Sequence, residues 1–374
     1  MSYLELFKLV VPETIVVAAA FLALAFDLTS TRGLSLRVRF KVAGMVACLG
    51  CLLAAGWMLV MPGNTNVLDG MLVVTPMTQL VKVGLLALTV LTVLVSMESD
   101  FTEHVGEFIA LVLLATVGLM FLASAENLLV IFVALELASL SLYILTAFNK
   151  RCVKSAEAAL KYFLFGGMAA AFTLFGLSLL YGMSGSTNLP EITKGLAGKG
   201  LDPLLIVAIV TTVVGFGFKV AAVPFHLWAP DAYEGAPTPS AAFIATGSKV
   251  ASFYILFKVM SLGFAGAEGN AGRHMFVAGW VPTVAIVAVL SMVLGNLTAI
   301  AQSSVKRLLA YSSIAHAGYM LVGFLAFGGE ALASLLFYVT TYALTTIGAF
   351  GVLGVVEAQV GGGSLKDFAG LARP

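Results

Sequence analysis

The 374 residues of this chain are strongly apolar, since 60% are hydrophobic and only 10% are charged. An ordinary soluble domain has roughly 45–50% apolar and about 25% charged residues, so this composition excludes a water-soluble fold. The net charge of +1 excludes a basic surface for nucleic acid and an acidic tail. We therefore expect the lipid bilayer to be the solvent of this protein.

The apolar segments predict an all-α, polytopic transmembrane bundle of about eleven helices, since each span needs roughly 20 apolar residues. Clusters of Gly, Pro and charged residues separate the segments. The first segment carries acidic residues and no small-residue cleavage site, so we interpret it as an uncleaved span. The predicted helices are 8–28, 41–61, 77–97, 107–124, 127–147, 157–182, 204–228, 239–262, 281–301, 308–327 and 331–356.

The distribution of Lys and Arg predicts the orientation, because these residues concentrate in inward-facing loops. With the N-terminus outside, eleven basic residues face inward and four outward. The inward set is Arg32, Arg37, Arg39, Lys41, Lys150, Arg151, Lys154, Lys306, Arg307, Lys366 and Arg373. The outward set is Lys8, Lys194, Lys199 and Arg273.

The other five basic residues lie within predicted spans and are Lys82, Lys161, Lys219, Lys249 and Lys258. A charge at the bilayer centre costs roughly 2.5–3.5 kcal/mol, so such residues face the bundle interior, form pairs and mark ion or proton paths. Lys82 lies near the start of its helix, where extension to the surface and burial are equal alternatives. Lys258 lies near the end of its helix, and we expect its ammonium group to extend to the surface.

Three other charged residues lie too deep in their predicted spans for the side chain to extend to the membrane surface. Glu136 is in the middle of NLLVIFVALELASLSLYILTAF, where a short carboxylate reaches neither surface. Lys249 lies near the centre of its helix, and Lys219 lies five residues before Pro224. We predict that these three residues translocate protons or small cations.

Pro224 predicts a helix broken near mid-membrane, because proline lacks a backbone donor and blocks the preceding turn. Broken helices at that depth occur only where they are buried in protein or line a hydrated cavity. His226 follows Lys219 by seven residues and would share its face if the helix continued through the break. We therefore consider His226 a candidate accessory group.

Two other features have alternative explanations. Glu157 precedes Lys161 by four residues, the favourable order for a helix-surface pair. That pair is either structural, near the inner surface, or part of a proton relay. His316 is either a satisfied core residue or a titratable site.

A row of buried lysines and a carboxylate permits proton transfer. Burial disfavours the charged form of lysine, and a nearby carboxylate favours it. A lysine therefore binds a proton when its carboxylate partner approaches and releases the proton when the partner withdraws. The chain has no haem-binding C-x-x-C-H, no cysteine cluster for iron and sulfur, and no glycine-rich nucleotide loop. The energy must then come from an ion gradient or a partner subunit. A transporter of an organic solute is disfavoured, because the polar mid-membrane residues are nearly all titratable.

The segment PFHLWAPDAYEGAPTPSAAF at 224–243 resembles the antiporter-like membrane subunits of the proton-pumping NADH-quinone oxidoreductase, respiratory complex I. These are related to Mrp-type cation/proton antiporters, which supply the alternative function. The segments SAENLLVIFVALELASLSLY, AEAALKYFLFG and SSVKRLLAYSSIAHAGYMLVG also match. Tyr-Glu-Gly before Ala-Pro-Thr-Pro, followed by Ser248 and Lys249, is similar to the subunit N branch.

The resemblance implies a fold of about fourteen helices with two inverted five-helix repeats and a broken seventh helix. Its domains would be 1–106 (helices 1–3), 107–262 (first repeat) and 281–374 (incomplete second repeat). The chain stops before the family's twelfth helix, so we interpret it as partial.

The resemblance also implies roles and partners. Glu136, Lys219 and Lys249 match the family's proton-translocating residues, and Lys161 and His226 match accessory positions. This subunit would carry no cofactor or metal of its own. NADH, FMN, iron-sulfur clusters and quinone would bind partner subunits. The implied location is the bacterial inner membrane, among other membrane-arm subunits, with the N-terminus on the periplasmic side.

Overall fold

The computed structural model describes residues 3–61, 63–68, 70–198, 200–272, 275–326 and 329–371. Three residues of the orientation count, Lys199, Arg273 and Arg373, lie outside the described residues.

The first half of the chain is a series of long apolar helices, as predicted. Asn127 accepts a hydrogen bond from the backbone N–H of Leu129 and caps α5, while Gly185, with a φ of +77°, ends α6. The elements are α1 (Tyr3–Thr29), α2 (Leu36–Met58), β1 (Thr65–Val67), β2 (Leu72–Val74), α3 (Pro76–Ser96), α4 (Val105–Ser124), α5 (Leu128–Thr146), α6 (Val153–Ser184) and α7 (Leu189–Leu196).

The second half contains shorter, interrupted helices followed by long ones. Its elements are α8 (Pro203–Lys219), α9 (Trp228–Gly235), α10 (Thr238–Ala245), α11 (Gly247–Lys258), β3 (Asn270–Gly272), β4 (Met275–Val277), α12 (Trp280–Ile300), α13 (Val305–Phe324) and α14 (Gly329–Val360). A π-helical turn, Val259–Gly263, follows α11, and a 3-10 turn, Leu365–Phe368, follows α14.

The helical bundle confirms the predicted fold class. Within the described ranges, nine helices are long and apolar enough to cross a membrane. Together with α8 and α13, they correspond to the eleven predicted spans. The prediction missed two small antiparallel hairpins, β1–β2 and β3–β4, and the short helix α7. It also missed the interruption at Thr246, between α10 and α11.

Two parts of the chain repeat the same packing. A Cβ added to Gly118 of α4 would lie 2.6 Å from the backbone N of Ala138 on α5, and one added to Gly295 of α12 would lie 2.6 Å from that of Ala315 on α13. Only glycine allows these backbones to approach so closely.

The backbone bridges beside these helices repeat as well. Asn127, just before α5, pairs with Asn188, which follows α6. In the same way Ser304, just before α13, pairs with Ser364, which follows α14. These parallels support an internal repeat of α4–α6 in α12–α14. The predicted domain boundaries themselves stay predictions.

Candidate functional site

The candidate site is built around the broken helix, where α8 ends at Lys219 and α9 begins at Trp228. The intervening chain contains Pro224, which has no N–H, and Ala221 at a φ of +57°. Several backbone N–H groups in this segment donate hydrogen bonds within the protein. The N–H of Val223 donates to Ser291 Oγ at 2.9 Å, and the indole Nε1 of Trp228 donates to the Phe218 carbonyl at 3.0 Å. The break therefore meets the requirement for irregular backbone at membrane depth.

Lys219 and Glu136 form an ion pair across two helices. The Lys219 Nζ lies 3.6 Å from Glu136 Oε1 and donates to Ser139 Oγ at 2.5 Å. The Lys219 side chain is 9% exposed and that of Glu136 is 26% exposed. The contact to the Glu136 carboxylate is the longer of the two, and the Ser139 hydroxyl is a second partner of the ammonium group.

Lys249 is the most buried lysine of the predicted set, at 1% exposure. Its Nζ donates to the Ser313 carbonyl at 2.6 Å and lies 5.6 Å from the ring centroid of Tyr342. Among the residues that the structure describes, no carboxylate lies within ion-pair distance of it. Lys249 is thus held by a neutral dipole and an aromatic face.

The two predicted histidines lie in different surroundings. His316 Nδ1 is 2.9 Å from the Tyr338 hydroxyl, and its ring centroid is 5.0 Å from that of Tyr342, the ring that Lys249 also faces. His226 lies in the break, where its Nδ1 is buried without a hydrogen-bond partner. The helix does not continue through the break, and within the described residues His226 and Lys219 form no hydrogen bond.

Lys161 takes part in a charged cluster that the sequence predicted only in part. Its Nζ lies 2.7 Å from Glu157 Oε1 and 2.9 Å from Asp231 Oδ2. Arg307 Nη1 lies 2.7 Å from Asp231 Oδ1 and 3.1 Å from Glu234 Oε2. The Glu157–Lys161 ion pair is as expected, whereas the other three residues were missed.

An open pocket lies between α6 and α9, and its charged lining residues are Lys154, Glu157, Lys161, Asp231 and Glu234. The one signal in the sequence was Asp231 and Glu234 three residues apart in PDAYEG, which places both on one helix face. Charges near a predicted helix end are ordinary, so that signal was weak.

The expectation for Lys258 is wrong. Its Nζ is buried, 2.9 Å from Glu126 Oε1 and 3.2 Å from the Ala125 carbonyl. The loop before α5 covers the end of α11, so the side chain pairs inside the protein. Lys82 adopts the buried alternative, with its Nζ 2.6 Å from Glu13 Oε1.

In the part of the chain that the structure describes, no three His, Cys, Asp or Glu side chains are grouped as a metal site requires. The prediction that cofactors bind only partner subunits stays a prediction.

Known proteins are similar in sequence to this chain over its whole length. Residues 125–373 match the family described as NADH:quinone oxidoreductase/Mrp antiporter, TM. NADH-quinone oxidoreductase subunit N 2 of Acidobacterium capsulatum is 53% identical over 381 residues, covering 100% of this chain and 76% of the relative. Subunit N of Geobacillus kaustophilus is 38% identical over 371 residues, covering 98% of this chain and 74% of the relative.

Solved structures share the fold. Respiratory complex I from Thermus thermophilus with bound aureothin contains a chain that is 36% identical, with a TM-score of 0.72 over 92% of this chain and 70% of that one. The Mrp complex from a Dietzia strain has a TM-score of 0.80 at 21% identity, over 94% of this chain and 38% of that one, which shows the fold alone. The chain therefore belongs to the NADH:quinone oxidoreductase/Mrp antiporter family of multi-pass membrane proteins, in which it is similar to the subunit N proteins.

Proposed function

We propose that this chain is a membrane-arm subunit of a bacterial NADH-quinone oxidoreductase, of the subunit N type. It translocates protons, driven by electron transfer from NADH to quinone in other subunits. The observation that carries the proposal is the ion pair between Lys219, at the end of a broken helix, and Glu136 on α5, 3.6 Å apart.

The chemistry follows from burial and charge. Beside the Glu136 carboxylate, the protonated form of Lys219 is favoured. When the pair separates, burial favours the neutral amine, and the proton leaves toward Lys249. The neutral surroundings of Lys249 suit a group that releases its proton readily, because no carboxylate holds the charge there. Lys161 and His226 serve as accessory groups on the inner side and within the break.

The driving chemistry belongs to the partners. Electron carriers and quinone bind other subunits, and this chain contributes no catalytic centre of its own. It lies in the bacterial inner membrane with its N-terminus on the periplasmic side. Its domains are three N-terminal helices (1–106), a first repeat (107–262) and a second-repeat region (281–374).

The alternative is a cation/proton antiporter subunit of the Mrp type. The likeness to the Mrp complex, at 21% identity, concerns the fold alone, whereas the subunit N relative from Acidobacterium is 53% identical. We therefore favour the oxidoreductase.

The experiment is Glu136→Gln in this protein, assembled in its complex. We expect the complex to form and to transfer electrons, while proton pumping in proteoliposomes falls. Sodium-driven proton exchange without NADH would favour the antiporter alternative. Unchanged pumping in the assembled variant would contradict the role of Glu136.

A further inference from the structure

The short helix α9 carries two carboxylates of the charged cluster. It also contacts Phe218, which precedes Lys219, and Ser313, which binds Lys249. It follows a non-helical segment, so the backbone leading from α8 does not fix its position. Its lateral contacts with α6 and α13 do so instead.

The contacts with α6 are close and aromatic. A Cβ added to Gly235 would lie 2.4 Å from the Ala158 Cβ, so the two backbones approach as closely as glycine permits. Trp228 stacks on Tyr162 with ring centroids 4.2 Å apart and an interplanar angle of 4°. Asp231 adds the ion pair to Lys161.

The contacts with α13 are ionic. Arg307 binds Asp231 and Glu234, which lie on successive turns of α9. Asp231 thus uses one carboxylate oxygen for a cation on α6 and the other for a cation on α13.

Each of these cations has a second carboxylate. Lys161 also pairs with Glu157 at 2.7 Å, and Arg307 also pairs with Glu234 at 3.1 Å. Burial raises the pKa of the Asp231 carboxyl, but the hydrogen bonds from Lys161 and Arg307 lower it more, so the group stays charged. If a contact with Asp231 breaks, Lys161 keeps Glu157 and Arg307 keeps Glu234 as an acidic partner. The cluster can therefore release α9 from either neighbour without leaving an unpaired cation.

The same helix contacts one residue beside each of the two central lysines, Lys219 and Lys249. Trp228 binds the carbonyl of Phe218, the residue before Lys219. The Tyr233 hydroxyl is 3.2 Å from Ser313 Oγ, and the Ser313 carbonyl accepts the hydrogen bond from Lys249. A displacement of α9 would therefore change the surroundings of Lys219 and of Lys249 at the same time.

We propose that Asp231 is a positioning residue that holds α9 between Lys161 on α6 and Arg307 on α13. Through α9, a change of charge in the pocket between α6 and α9 alters the surroundings of Lys219 and Lys249. The inference rests on the proposed function. The charged groups that face Asp231 are Lys154, Glu157 and Lys161 from α6, Glu234 from α9 and Arg307 from α13.

The test uses Asp231→Asn and Asp231→Glu in this protein, within the complete complex in proteoliposomes. Asparagine keeps the shape and removes the charge. We expect several-fold slower pumping, and a half-maximal inner pH that moves down by about half a unit, because a carboxylate that attracts protons is lost. Glutamate should restore both values. Glu98→Gln, an exposed carboxylate outside the cluster, is the matched control.

A second variant covers the case in which Asp231→Asn does not assemble. Tyr233→Phe keeps every ion pair and removes only the hydroxyl contact with Ser313. It should slow pumping and leave the inner pH profile unchanged.

Four results distinguish the inference from the proposed function. Wild-type pumping and pH profile in assembled Asp231→Asn would overturn the inference, as would wild-type pumping in Tyr233→Phe. If Lys219→Met lowers pumping while these variants do not, the inference fails and the proposed function stands. If Lys219→Met has no effect, the proposed function fails.

Discussion

Glu136 and Ser313 hold equivalent positions in two repeated parts of the chain, and only the first has a carboxylate. Glu136 lies two residues before Ala138, which packs on Gly118, and Ser313 lies two residues before Ala315, which packs on Gly295. Lys219 therefore has a counter-ion, whereas Lys249 binds the Ser313 carbonyl.

The first prediction adds the missing carboxylate. Ser313→Asp should stabilise the charged form of Lys249 and slow pumping about tenfold, because an opposite charge within ~4–6 Å favours the ion. Pumping by the assembled complex in proteoliposomes measures this. Ser303→Asp, at an exposed position of the preceding loop, is the control. Equal pumping by the two variants would contradict the interpretation.

The second prediction concerns the break. Trp228→Phe keeps an aromatic ring against Tyr162 but removes the donor to the Phe218 carbonyl. The Phe218 carbonyl keeps the hydrogen bond from the Ala221 N–H at 3.0 Å, so the variant loses a single hydrogen bond. Such a bond contributes about 0.5–1.5 kcal/mol, so the free energy of unfolding and the thermal midpoint should fall. The control is Trp57→Phe, which removes a 3.3 Å hydrogen bond to the Lys8 carbonyl at an exposed site. A larger loss in the control would indicate that the break is stabilised differently.

The third prediction concerns the packing behind Glu136. Gly118→Ala inserts a methyl group 2.6 Å from the Ala138 nitrogen and should destabilise the protein by about 1–3 kcal/mol. Gly167→Ala, where an added Cβ meets nothing within 4 Å, should be neutral or slightly stabilising. The thermal midpoint of the purified protein compares them, and equal midpoints would exclude a tight α4–α5 contact.

The sequence predicted the long helices well, because bilayer thickness sets their length and hydropathy reveals them. It missed α7 and the two hairpins, since such short elements in polar loops have no sustained period. The interruption at Thr246 had no proline to indicate it.

The location of three charged residues within the spans was predictable for a different reason, whereas their role in proton transfer stays a prediction. A charged residue in the middle of an apolar span is costly whichever residue pairs with it. The positions of Glu136, Lys219 and Lys249 along their spans were therefore enough to select them as candidates. The partners themselves were not predictable. Asp231 and Arg307 lie 76 residues apart, and neither is buried deeply enough to attract notice. Lys258 was misjudged because its partner, Glu126, lies in a loop on another part of the chain.

The fourth prediction concerns orientation. If the N-terminus is outside, the loop that contains α7 faces the periplasm and Cys152 faces the cytoplasm. In a Cys152→Ser background, Ala197→Cys, at an exposed position, should react with a membrane-impermeant maleimide in intact cells. In the parent background, Cys152 should react only after the cells are opened. The reverse pattern would invert the proposed topology.

The most direct test of the central claim is the number of protons pumped per electron by the complete complex carrying Lys219→Met in this subunit. Removing the proton-carrying group should slow transfer through this subunit by roughly a hundredfold and lower the ratio, with NADH-to-quinone electron transfer retained. Lys41→Met, an exposed lysine on α2, should leave the ratio unchanged. An unchanged ratio in assembled Lys219→Met would contradict the account.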